Sequence, residues 1–411
     1  MARPIEPAQT GERAKTALIQ PHPAQGPRLG QVSGQFEAGL HGAWQLNRSA
    51  PWQGNFQTNT DDLGWLGDFI GERTQSAGRL KGRIKLAGSP ARPLISGQFT
   101  GEALSLRLPD QGLQLTKGEL ELSMTDNLLR VRKLAFDSPL QPLPRPLQRI
   151  DDDTLQQLNK RPGHLEISGE MQVDQNSGFL DIRLDRLGLY QLPEQWVAVS
   201  GEGRLALRDT ALAARGKLTV DAGYWQLAQM GTPRLSDDVV IKSSRADEAS
   251  SKPRPRLDLD LTTDFGKFFL FRGAGLSSRL AGEVRLRAEG RDLPRASGTI
   301  RMRDGRFEAY GQQLSIARGS LSFQGLLDNP ALDVRAIRTG LAVEPGVQIS
   351  GTAQKPVIRL ISDPELPDAE KLAWLVLGHG PEQMGAGDAA LLFSAAGGLL
   401  GNDSGNLLVQ G

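Results

Sequence analysis

Residues able to do acid–base, nucleophilic or metal chemistry are few and scattered in this chain. There are four histidines, His22, His41, His164 and His379, and no cysteine. No histidine stands at metal-ligand spacing from another histidine or from an acidic motif. His379 lies in Gly378-His379-Gly380, the composition of a helix end, where glycine caps and a cationic imidazole suits the dipole. Asp151-Asp152-Asp153 gathers three carboxylates but lacks the glycine and downstream glutamate of a calcium loop. It reads as the solvated start of a short helix. Without thiols there is neither a disulfide framework nor a thiolate metal site. No nucleophile, base and orienting group come together, so the chain is expected to be non-enzymatic and to use no metal or cofactor.

The chemistry that the sequence does repeat is hydrophobic. In Gly282-Glu283-Val284-Arg285-Leu286-Arg287, apolar and charged residues alternate strictly. A period of two places the apolar side chains of a strand on one sheet face and the charged ones on the other. The same pattern recurs through the C-terminal third. The apolar positions it singles out are Val284, Leu286, Ile300, Met302, Phe307, Leu314, Ile316, Leu321, Phe323, Leu332, Val334, Val347, Ile349, Ile358 and Leu360. Alternation alone fits a dry core as readily as a lined cavity. The opposite face, with Asp258, Asp260, Arg285, Arg287, Arg301 and Arg303, reads as solvated and as a guard against edge-to-edge aggregation.

Strands and turns must position these residues. Residues 1–30 carry five prolines and no periodicity and are expected to be disordered. A β-array follows over 31–136, then a Pro-rich loop over 137–163 that marks an internal boundary. A second array spans 164–245, a Ser- and Pro-rich flexible linker 246–256, and the third array 257–362. The C-terminal 363–411 is expected to be helical, with helices over 367–377 and 386–400. The second of these reads as a cap on the end of the trough or as a membrane-surface or partner-docking helix. A further short amphipathic helix is expected over 61–70, where Leu63, Leu66 and Ile70 share a stripe. About twenty strands in all exceed the roughly ten that an open sheet holds without curling or splitting. No matching set of helices covers the apolar face, so it must close as a barrel, a sandwich or a folded trough.

Charge and composition exclude some classes. The chain of 411 residues has 48 basic and 47 acidic residues, a net charge of +1, with no basic bias of the kind nucleic acid requires. No signal peptide and no apolar run long enough to span a bilayer as a helix is visible in the sequence.

Five segments carry a resemblance. They are Thr263-Asp264-Phe265-Gly266-Lys267, Gly305 to Gln312, Leu327-Asp328-Asn329-Pro330-Ala331-Leu332, Gly351-Thr352-Ala353, and Ser362-Asp363-Pro364 with Leu372 to Gly378. In this order and spacing the chain resembles the C-terminal domain of the TamB family, AsmA-like lipid-transfer proteins of the Gram-negative envelope. The resemblance implies an all-β fold, an elongated antiparallel sheet folded into an open trough, with a few short amphipathic helices near the C-terminus. It implies that the apolar positions above line a groove for phospholipid acyl chains, between inner and outer membranes in the periplasm. It also implies docking to the outer-membrane barrel TamA. Set against the family's length and membrane anchor, the chain reads as a C-terminal fragment or a truncated gene product. Two rivals remain. A scaffold or chaperone for outer-membrane protein assembly would work by strand addition without lipid. An outer-membrane barrel would need aromatic girdles, and three tyrosines are too few.

Overall fold

The structure is a computed structural model, describing residues 15–19, 31–38, 40–41, 45–46, 49–67, 71, 73–227, 256–273, 275–290, 292–309 and 312–383. The fold is all-β. Among the described residues the strands run nearly all antiparallel to their chain neighbours, and two short strands pair separately. Short helices are few. The chain divides into two compact units.

The first unit holds β1 (Lys15–Ile19), β2 (Gln31–Ala38), β3 (Leu40–His41), β4 (Gln45–Leu46) and β5 (Trp52–Thr60). It continues with β6 (Gln75–Ser89), β7 (Arg92–Leu108), β8 (Leu113–Thr125), β9 (Leu128–Ser138) and β10 (Gly163–Gln172). The strands β2, β5, β6, β7, β8 and β9 form a meander in that order. Alternation sets the two faces: in β6 the apolar Leu80, Ile84 and Leu86 are half-buried while Arg79, Lys81, Arg83 and Lys85 are exposed. The turn from β8 to β9 uses Asn127, left-handed at φ 69°. Its Oδ1 accepts from Ile95 N at 3.0 Å and its Nδ2 donates to Pro93 O at 2.8 Å. An Asx side chain tolerates this conformation and replaces the missing backbone partners.

One expectation fails here. Residues 1–30 are not wholly without structure, because Lys15–Ile19 pairs with Ala38–Gly34 as an antiparallel strand. The run Thr16-Ala17-Leu18-Ile19 is too short to show periodicity alone, and a neighbouring strand supplies what it lacks.

The second unit takes in most of β11 (Ser177–Gln191) and β12 (Gln195–Arg208), with β13 (Ala211–Gln226), β14 (Arg256–Asp264), β15 (Phe269–Gly273) and β16 (Leu276–Ala288). Then come β17 (Arg295–Ala309), β18 (Gln312–Leu326), β19 (Ala331–Ile337), β20 (Glu344–Thr352) and β21 (Lys355–Asp363). The helices are α1 (Arg145–Gln148), α2 (Asp153–Gln157) and α3 (Asp368–Val376).

The Pro-rich segment expected to be a loop is a small core instead. Leu143, Leu147, Leu155 and Leu158 are buried against Trp196, Ala198, Ala222, Tyr224 and Phe268. The short helix expected over 152–159 is there, but the flanking prolines, which break helical pattern, leave no sign in the sequence that its leucines are buried. Asp152 caps α2, its Oδ1 accepting from Thr154 N at 2.9 Å and Leu155 N at 3.3 Å. The acidic triplet is thus a helix start, as read from the sequence.

One junction is parallel: β13 pairs with β14 and then with β15 in the same direction. Parallel neighbours need a long crossover, and the chain from Gln226 to Arg256 supplies the length. Strands β14 and β15 share the same two neighbours, β13 and β16. They are one strand interrupted at Phe265–Phe268. The corner is built by Asp264, whose Oδ1 accepts from Gly266 N at 2.9 Å, and by Gly266 at φ 63°. A Cβ on Gly266 would stand 2.2 Å from Val220 O. Gly266→Ala is therefore expected to destabilise the protein by more than the roughly 1–2 kcal/mol that a left-handed residue alone costs. Thermal unfolding, scored against a Gly340→Ala control whose Cβ would meet nothing within 4 Å, measures the clash directly.

Candidate functional site

In an antiparallel pair, residues directly opposite each other share a face. Register therefore carries face assignment from strand to strand. On β16, Leu286 stands opposite Leu261 of β14 and Ala296 of β17, and Val284 opposite Gly298. From β17 to β18, Gly298 meets Phe323, Ile300 meets Leu321 and Phe307 meets Leu314, while Met302 meets Leu280 on β16. Leu321 faces Leu332, and Ile316 faces Ala336. Val334 faces Ile349, and Val347 faces Ala336 and Leu360; Ile349 faces Ile358. All fifteen positions read from the sequence thus lie on one sheet face.

Their burial is uneven. Val284, Ile300, Leu314, Phe323, Val334 and Val347 are buried, between 1% and 8% exposed. The other nine, among them Leu286, Met302, Leu321, Leu332 and Ile349, are half-buried. A sandwich core would shield both sets alike.

At one end of the strands, helix α3 covers this face. Leu375 is buried with Leu314, Ala336 and Val347, and Phe307, Ile316, Ile358 and Leu360 pack around them. Leu372 and Val376 add a second contact with Leu360. The other nine sequence-read positions lie on the same face outside these two clusters. Polar side chains tie the helix end to the sheet: Arg338 Nη1 donates to Leu375 O at 2.8 Å, and Gln312 Nε2 to Val376 O at 3.1 Å. These answer carbonyls that the helix C-terminus leaves free. Near the helix start, Lys371 is buried, its ammonium donating to Glu365 and, at 3.3 Å, to Asp368. The hydrogen bond to Glu365 raises its pKa above the ordinary 10.5. A raised lysine pKa means this stabilisation is complete below 10.5 and fades as pH climbs through the higher folded value.

At the opposite strand ends, leucines protrude from or beside the turns. Leu257, Leu293, Leu326 and Leu327 are exposed, Leu293 by 70%. The apolar face thus ends in a helix on one side and a leucine-bearing rim on the other. The reverse face is polar and internally paired. Arg285 grips Asp260 with two bonds of 2.6 Å and holds its carboxyl below the usual carboxylate range. Arg318 pairs with Asp333 at 2.8 Å.

Several apolar positions were missed by the sequence reading. Leu259, Leu261, Leu280 and Ala296 continue the same face by register. The alternation of Leu257-Asp258-Leu259-Asp260-Leu261 was the available signal. Arg338 and Gln312 carried none, since their partners lie far along the chain. Of the histidines, His164 Nδ1 lies 3.5 Å from Asp137 Oδ1, and His379 Nδ1 lies 3.1 Å from Gly380 O just past α3. His41 sits in β3, and His22 lies outside the described residues, as does the helix expected over 386–400. Among the described residues no group of acids and histidines could hold a metal ion, and no helix is long and apolar enough to cross a membrane.

The five segments that carry the resemblance all fall in this unit, several of them at its corners. Thr263–Lys267 breaks β14 from β15. Gly305 is buried beside Ile316 and Ser278, where a Cβ would stand 2.7 Å from the isoleucine. Asn329 Oδ1 accepts from Gln354 N at 3.0 Å, and Ala353 N donates to Pro330 O at 2.9 Å, clasping two neighbouring turns. Ser362 Oγ accepts from Leu366 N at 3.1 Å and leads the chain into α3.

A family model described as the TamB C-terminal domain matches residues 152–410. The chain belongs to the TamB family. A curated TamB relative, the translocation and assembly module subunit TamB of Haemophilus influenzae, is 24% identical over 331 residues. That alignment covers 75% of this chain and 23% of the relative, so the chain spans about a quarter of that TamB's length.

Truncating the helix contact tests its role as an end wall. Leu375→Ala should weaken α3 docking by about 2–5 kcal/mol, the usual cost of emptying a buried leucine site. Hydrogen exchange should quicken in α3 while β16 and β17 keep their protection.

Proposed function

We propose that the apolar face of β14–β21 carries phospholipid acyl chains, as part of TamB-type transport and assembly toward the outer membrane in the Gram-negative envelope. The observation that carries this is the single face itself. Fifteen apolar residues on six strands are aligned by register, and nine of them keep partial exposure. Moving a methylene from water to such a lining gains about 0.8 kcal/mol. An unpaired charge placed there would be penalised, so the headgroup stays outside while the tail lies on the face. The site binds and shields; it performs no bond chemistry and calls for no cofactor. The rim of exposed leucines offers a place for a tail to enter, away from α3. The periplasm between two membranes is the compartment in which such a carrier works.

A second reading, strand addition by an outer-membrane protein partner such as TamA, has one observation in its favour. Among the described residues β21 pairs with β20 alone, leaving a strand edge. Main-chain hydrogen bonds along such an edge would recruit an extended segment without any lipid.

Native mass spectrometry of the purified chain should reveal bound phospholipid, and delipidated protein should take up a fluorescent phospholipid. Placing a charge on the half-buried part of the face, Leu321→Asp with Leu332→Asp, should abolish uptake while the far-ultraviolet spectrum stays that of a sheet. Delipidated wild-type protein that takes up none would sink the lipid reading and leave the strand edge as the working surface.

A further inference from the structure

The polar face of β6 carries four cations in a row. Arg79, Lys81, Arg83 and Lys85 alternate with Leu80, Gly82, Ile84 and Leu86, and all four are exposed. Alternate residues of a strand stand about 6.8 Å apart, so the charges form a straight, evenly spaced stripe. Several other cations of this unit are answered by acids, whereas Arg92, Arg107 and Arg132 stand singly and not in a row. Arg73 has Asp110, Arg130 has Glu170 and Lys133 has Glu119, all within 2.9 Å. Arg79 has Glu102 opposite it, at 3.5 Å. Lys81, Arg83 and Lys85 make no ion pair among the described residues. Register sets them opposite Asn59, Gln57 and Asn55 on β5, and opposite Thr100, Gln98 and Ser96 on β7. The stripe is bordered on both sides by neutral hydrogen-bonding groups.

Three like charges held in line repel one another and return nothing to the fold, so their chemistry points outward. The strand β6 is paired along both edges, which rules out strand addition at this place. The residues opposite the stripe include no aromatic or large apolar side chain of the kind that anchors a protein interface. What remains is positive charge with amide and hydroxyl groups on a sheet face. That chemistry matches a plane of phosphate headgroups, where basic residues bind additively and without pockets.

We propose that the β6 stripe docks this unit onto an anionic lipid surface. The stripe lies on the opposite side of its strand from Ile84 and Leu86 and in a different unit from the acyl-chain face. Its success or failure is therefore independent of the lipid-carrying reading.

Flotation of the full chain with vesicles tests this. Vesicles of phosphatidylcholine with added phosphatidylglycerol should bind the protein, and phosphatidylcholine vesicles should not. Each basic residue near an anionic leaflet is worth about fivefold in binding, so the combined variant Lys81→Gln, Arg83→Gln, Lys85→Gln should lose on the order of 100-fold. Raised salt should weaken the wild type and leave the variant little changed. The control Arg130→Gln, Lys133→Gln removes two cations already paired with acids and should bind as the wild type does. Equal binding of stripe variant and wild type, or equal binding to both vesicle types, overturns the proposal. So does a stripe-dependent preference for polyglutamate over anionic vesicles, which would make the partner an acidic polypeptide.

Discussion

Register is the constraint on which the rest depends. The side-chain period of a strand is two, so a slip of one residue turns every apolar side chain to the charged face. From β16 to β21 the pairing keeps fifteen apolar residues together across six strands. It does so even where residues are inserted. Between Ile316 and Arg318 the register shifts by one against β19, and beyond it Leu321 again meets Leu332 on the apolar side. The bulge absorbs a residue that alternation would have spent on flipping the face. Asp304, left-handed at φ 50°, lies in a similar irregularity of β17, and Phe307 returns to the apolar side after it.

Such a sheet needs its corners fixed, because nothing in alternation says where a strand must end. The side chains that fix them are small and local. Asp264 with Gly266 breaks one strand, Asn127 turns another, Asn329 clasps two hairpin ends, and Ser362 starts the helix. In each case a short polar side chain takes over a backbone partner that the ladder no longer provides. The apolar positions accept any side chain of roughly the right size. The corners accept few.

Much of the fold was legible for the same reason. Strict alternation in Gly282–Arg287 announces both strand and face, and helix α3 was visible in Leu372, Leu375 and Val376 with a proline at its start. What escaped were features whose meaning lies in distant partners. The leucines of 143–158 look like loop residues until Trp196 and Tyr224 close over them. Lys15–Ile19 is five residues long and becomes a strand because Gly34–Ala38 lies beside it. The parallel pairing of β13 with β14 cannot be read from alternation, which is the same for either direction. At the candidate site the faces were legible and the coverage was not. Nothing in the spacing of Phe307, Leu314 or Ile316 says that α3 sits over them while Leu321 and Leu332 lie outside its contacts.

Helix α3 shows what this face accepts. Its contact surface is a narrow apolar stripe, Leu372, Leu375 and Val376, seated on side chains contributed by five strands. The polar ties lie at the margins, at Lys371, Arg338 and Gln312, and the middle of the contact is hydrocarbon against hydrocarbon. An acyl chain presents the same chemistry in a thinner cylinder, with its charge likewise kept to one end. Burial of apolar area is non-directional, so the seat of the helix on this face is set by its width and by what holds its ends. The helix holds its ground through Arg338 and Gln312, which bond to its terminal carbonyls and have no equivalent partner in an acyl chain. The neighbouring strands lack such clamps among the described residues and offer the same lining. The division of the face into a clamped part and an unclamped part therefore follows from where those two side chains sit.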